Sequence, residues 1–123
     1  MPVIIAAKTD YTGSVTPSDL NVETNVVDIS AQSEDYIVEG YLDISALQSG
    51  DTLEVREYIA VDGVNLRCFL TVTYSGAQDN PIIRFHAKVL YKTCLYRVTI
   101  KQTSGSVRTF PYAFILEVMG ITT

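Results

Sequence analysis

The chain holds one histidine, His86, and two cysteines, Cys68 and Cys94. His86 stands in RFHAK, alternating with Arg84 and Lys88 along one side of an extended segment. A single imidazole offers no recognisable catalytic triad and no His-rich metal site. The basic alternation of Arg84, His86 and Lys88 reads either as a docking face for an acidic partner or as a solvated strand face. Both cysteines fall where a strand should face the core, and neither has the basic or His-containing setting that activates a thiol. Acids gather at turns, in Glu34-Asp35, Gly50-Asp51 and Asp79-Asn80, but without the ligand spacing of an EF-hand and with nothing that selects a catalytic pair. Gly13, Gly50, Gly63, Gly76 and Gly105 stand singly and read as turn glycines, since neither GxGxxG nor GxxxxGK[ST] occurs. These residues imply no enzyme, no cofactor and no metal, and leave protein contact as the chemistry to be explained.

Strand-like runs rich in Thr, Val, Ile and Tyr fill the chain: Val22 to Ser30, Tyr36 to Ile44, Thr52 to Val61, Val64 to Tyr74, Ile82 to Leu90, Leu95 to Thr103 and Val107 to Val118. Between them lie AQSED, SALQSGD, DG, SGAQDN, YKT and SGS, all turn compositions. PVIIAA reads as a short strand or arm, and Tyr11 to Asp19 as a polar link. The pattern predicts an all-β, single-domain antiparallel β-sandwich, jelly-roll-like, with seven to eight strands spanning residues 1–123. Residues 1–20 are expected to form an N-terminal arm.

Asp62-Gly63 is the sharpest local signal, because such a pair suits a two-residue type I′ turn. That turn would set Ile59 opposite Leu66, Glu57 opposite Cys68, Val55 opposite Leu70 and Leu53 opposite Val72 on a core face. Glu57 is the one misfit there, and a carboxylate on a core face needs a partner. The other face would pair Tyr58 with Arg67 and Arg56 with Phe69, an Arg against an aromatic ring each time. Tyr, Phe and Arg are enriched at interfaces, so Arg56, Tyr58, Arg67 and Phe69 are expected contact residues, together with Arg84, His86 and Lys88. A three-residue loop, Ser104 to Ser106, would similarly pair Ile100 with Phe110, Val98 with Tyr112, Tyr96 with Phe114 and Cys94 with Leu116.

The totals narrow the partners. The net charge of −5 argues against direct nucleic-acid binding, which needs a basic surface. No apolar run approaches the ~20 residues of a membrane-spanning helix. MPVIIAAKTD lacks the basic segment and apolar length of a signal peptide, so the chain is expected to stay in the cell that makes it or to leave within a particle.

The segments EGYLDISALQSGDTLEVREYIAVDGVN, TYSGAQDNPIIRF and YRVTIKQTSGSVRTFPYAFI, within Val38 to Glu117, resemble small β-rich proteins of virus and bacteriophage structural genes. The resemblance implies a virion component, either a capsid or decoration protein or a tail part. It implies a homo-oligomer whose partners are other virion or assembly proteins, made in a host cytoplasm and located in the virion. The other reading the residues allow is a carbohydrate- or ligand-binding sandwich, with the eight tyrosines as a stacking platform and the absence of Trp against it.

Overall fold

The computed structural model of the protein describes residues 2–121. Eight strands follow in order: β1 (Val3–Val15), β2 (Thr24–Ile29), β3 (Tyr36–Asp43), β4 (Thr52–Ala60), β5 (Arg67–Ser75), β6 (Ile82–Leu90), β7 (Leu95–Ser104) and β8 (Phe110–Ile121). They form two four-stranded sheets, β1-β8-β3-β6 (sheet A) and β2-β7-β4-β5 (sheet B), and every pairing is antiparallel. Only the β4–β5 connection stays within a sheet; all others cross between sheets. First pairs with eighth, second with seventh, third with sixth and fourth with fifth, so the chain is one long hairpin rolled into a jelly roll.

Alternation along the strands explains the layers. Val38, Leu42, Phe85, Phe114, Leu116 and Val118 of sheet A face Leu53, Val55, Tyr96, Val98 and Ile100 of sheet B in one core. Gly40 lies between Phe114 and Phe85 on its two neighbouring strands, and those rings meet at 5.1 Å between centroids. A Cβ on Gly40 would collide with the Phe114 ring and the Ala113 carbonyl, so the close aromatic contact requires glycine.

Five local expectations give way to the structure. Ile100, Val98 and Tyr96 do point at the same core as Phe110, Phe114 and Leu116, but β7 and β8 belong to opposite sheets and form no hairpin. The apolar residues match because they meet across the sandwich rather than side by side. The Asp62-Gly63 turn is also wider than two residues. The Asp62 carboxylate accepts from the Val64 and Asn65 backbone N–H groups at 2.9 and 2.8 Å, which holds the connection open from residue 61 to 66. Strand β5 is thereby slipped by two residues from Thr52 to Glu57, which keeps the faces but changes the partners, and by one beyond a bulge between Glu57 and Tyr58. Arg56 lies opposite Thr71 and Tyr58 opposite Cys68, so neither Arg–aromatic pair forms.

A bulge in β6 between Phe85 and Lys88, opposite Val38 to Gly40 of β3, inverts the alternation of β6 after Phe85. Lys88 and Leu90 therefore turn inward, and Val89 is 66% exposed, so Arg84, His86 and Lys88 do not share one stripe. Cys68, on edge strand β5, is exposed rather than in the core, while Cys94 is buried; both are free thiols. Finally, the stretch expected to be a polar link continues as strand through Val15, so β1 runs thirteen residues against β8.

Candidate interface surfaces

The outer face of sheet B carries polar side chains that pair with one another, with Arg56 Nε left buried and without a hydrogen-bond partner. Arg97 holds Asp28 in a two-bond fork, both at 3.1 Å. Glu23, in the loop before β2, receives the hydroxyls of Thr99 (2.6 Å) and Tyr58 and lies 3.6 Å from Arg56. Burial alone would push the Glu23 carboxyl up, but the Thr99 and Tyr58 hydrogen bonds and the charges of Arg56 and Lys101 outweigh it and hold it below the usual carboxylate range. Arg56 donates to Glu54 at 2.9 Å. Two of the expected contact residues, Arg56 and Tyr58, are thus half-buried members of this network.

Sheet A differs. The registers place outward-facing cross-strand rows such as Thr12, Ala113, Tyr41 and Arg84, and Lys8, Glu117, Ile37 and Val89. Tyr41, Ile82 and Val89 are exposed here, a mixture of apolar and charged groups.

At one side of the sandwich the two sheets part. Edge strands β5 and β6 border an open seam of about 200 Å³. Its walls are Val55, Leu70, Val72 and Tyr74 from sheet B and Ile83 and Phe85 from sheet A. Leu70 and Val72 sit beside Glu57 and Val55 on the inward face of sheet B yet remain 47% and 36% exposed, because sheet A does not reach over them. Arg84 and His86 stand at the seam, and exposed Arg67 and Phe69 lie on the same edge strand as Leu70. Lys88 bends to the floor instead.

Glu57 closes that floor. Its carboxylate accepts from the Tyr96 hydroxyl at 2.6 Å and lies 3.4 Å from the Lys88 ammonium, which sits 4.8 Å above the Tyr96 ring. Burial, and then the hydrogen bond to Glu57, raise the Tyr96 hydroxyl well above its ordinary pKa. The trio ties β4 and β7 of sheet B to β6 of sheet A. The alternation pattern marks Glu57; it gives no sign of Lys88, whose inward turn depends on the bulge. Among the described residues no three His, Cys, Asp or Glu side chains gather as metal ligands would.

A second buried carboxylate, Asp51, lies at the start of β4. It accepts from the backbone N–H of Gln48 (2.9 Å) and Ser106 (3.1 Å) and from Arg108 Nε (2.8 Å). The Arg108 hydrogen bond is the main cause holding its carboxyl below the usual range.

Three comparisons with known proteins bear on this geometry. No protein-family model matches the sequence. No curated protein matches it either. Solved structures share the fold: one of Bacillus endospore appendages, described as forming a family of disulfide-linked pili, superposes with a TM-score of 0.58 at 14% identity, covering 94% of this chain and 87% of that one. The VP2 protein of infectious bursal disease virus, as a D431N mutant in T=1 particles, superposes with a TM-score of 0.50 at 11% identity, covering 91% of this chain. This chain spans 31% of that VP2 chain.

Proposed function

We propose that this protein is a structural subunit that assembles with copies of itself and with other proteins of a particle or filament. A virion of a virus or phage is the setting the sequence resemblance favours. The observation that carries the reading is the distribution of exposed apolar side chains. Val3, Ile4 and Ile5 lie exposed on edge strand β1, and Phe69, Leu70 and Val72 on edge strand β5. Unpaired strand edges with exposed apolar residues are a liability for a lone subunit and a ready contact for an assembling one. By analogy of fold alone, the endospore structure forms pili and the VP2 structure forms particles, which agrees with this reading. On this reading Arg67, Phe69, Arg84 and His86 contact a neighbour around the seam. Arg56, Tyr58 and Lys88 support that region from within.

Light scattering across a concentration series tests the reading. A mass several times the 13.6 kDa subunit, rising with concentration to a plateau or continuing to grow, is the expected result. A monomer at every concentration would overturn self-assembly.

A further inference from the structure

Resting on the self-assembly reading above, we infer that the apolar start of β1, Val3 to Ala7, of one copy docks as an extended strand into the β5–β6 seam of a second copy. Four observations lead there. The segment VIIAA is apolar at every position, so both of its faces need covering, yet all five residues are exposed. It also overhangs the sheet. Strand β3 pairs with β8 only as far as Val118, whereas β1 continues to pair Ile5, Ile4 and Val3 with Met119, Gly120 and Ile121. A two-stranded ribbon of this kind is marginal in water without a further layer.

The seam offers what that ribbon lacks. It is lined by apolar side chains of matching character, and β5 and β6 are each a sheet edge with one strand neighbour among the described residues. Addition of a strand to such an edge gains main-chain hydrogen bonds, and alternate side chains fill the pockets. The segment carries no charge, so its entry buries none.

The occupant is a second copy because the chain's own segment lies on the wrong side. Strands β8 and β3 separate β1 from β6 in sheet A, roughly 14 Å at ordinary strand spacing. The surroundings are complementary in charge as well. Glu34 and Asp35 share a hollow with Val3 and Gly120 beside the overhang, while Arg84 and His86 stand at the seam. Donor and acceptor surfaces are different patches on opposite edges of the molecule, so the contact is head-to-tail and propagates into a ring or a filament.

The test uses two variants of the full chain, Ile4→Asp/Ile5→Asp in the donor segment and Leu70→Asp/Val72→Asp in the seam. The altered residues are exposed, and circular dichroism confirms that each variant folds. Each alone should lose association by at least about ten-fold in the concentration needed, since a charge now enters an apolar contact. Mixed together they should form a one-to-one dimer and nothing larger, because one keeps only a seam and the other only a donor segment. As a second measurement, Ile4→Cys and Val72→Cys proteins, both in a Cys68→Ser background, should cross-link to each other on mild oxidation. Wild-type assembly that persists unchanged in both variants, without cross-linking, would overturn this docking mode and leave self-assembly standing. A wild-type monomer at all concentrations would instead remove the assembly reading itself.

Discussion

Asp51 and Glu57 are both carboxylates taken almost entirely out of water, 1% and 5% exposed, and each meets a cation. Their settings differ. Asp51 is held by two backbone N–H groups together with Arg108, which reaches back to solvent with a third of its side chain exposed. Nearby Gln102, fully buried, donates to the Ser104 and Ser106 carbonyls and accepts from the Arg108 N–H, so the loops at this end are tied to one another. Glu57 is held by side chains alone, Tyr96 and Lys88, at the floor of the open seam. The first centre is complete within one subunit. The second sits where the two sheets have separated and where a neighbour's strand would supply the missing cover. A buried charge thus does one of two things in this fold, closing a loop region or bracing a gap.

That contrast can be broken most forcefully at Glu57. Glu57→Ala should cost about 3–5 kcal/mol by denaturant unfolding, because Lys88 is left buried without its counter-ion and Tyr96 without its acceptor. Replacing the trio together, Glu57→Leu with Lys88→Met and Tyr96→Phe, should bring stability back to within about 1 kcal/mol of the wild type, as apolar replacement of buried pairs often does. A triple variant as unstable as the single one would show that the trio is more than a brace.

Asp51→Asn should have the next largest effect, about 1–3 kcal/mol at neutral pH, through weakened hydrogen bonds to Arg108 and two backbone donors. The pH dependence gives its sign. The folded carboxyl titrates below the ordinary aspartate value, so its contribution is present above about pH 4 and is lost as the pH falls through the folded-state value. Wild type should therefore lose stability on acidification below pH 4 more steeply than Asp51→Asn, as read from urea midpoints between pH 5 and 2.5. The smallest effect belongs to the solvent-facing fork of Arg97 and Asp28. Arg97→Ala should change stability by roughly 0.2–1 kcal/mol, and less in high salt.

The same contrast shows what a sequence can and cannot display. Glu57 is legible because a strict two-residue alternation makes an acid among Leu53, Val55 and Ile59 conspicuous. Its partner is not, since a single bulge in β6 turns Lys88 from the expected outer stripe to the floor of the seam. Asp51 is hidden for another reason: Gly50-Asp51 has an ordinary turn composition, and its burial comes from Arg108 and Ser106, more than fifty residues away. The all-β architecture was readable from strand patterns and short polar links. The pairing of strands was not, because apolar faces that meet across a sandwich look in sequence like faces that pair within a hairpin, as Ile100 and Phe110 do. The open seam was likewise out of reach, since Leu70 and Val72 read as core residues and only the extent of the opposite sheet decides how far they are covered.

The nesting of strand pairs also imposes an order in time. The β4–β5 hairpin joins neighbours in sequence, while β1 and β8 bring the two ends of the chain together, Val3 against Ile121. Closing the largest loop is the costliest in chain entropy and is repaid only after the inner pairs have formed. On a ribosome, β1 emerges before β8 and waits for that partner until the intervening strands are made. Its apolar start is thus shown to the surrounding solution throughout synthesis, so on the self-assembly reading the concentration of finished subunits near a nascent one would set how early neighbours can meet.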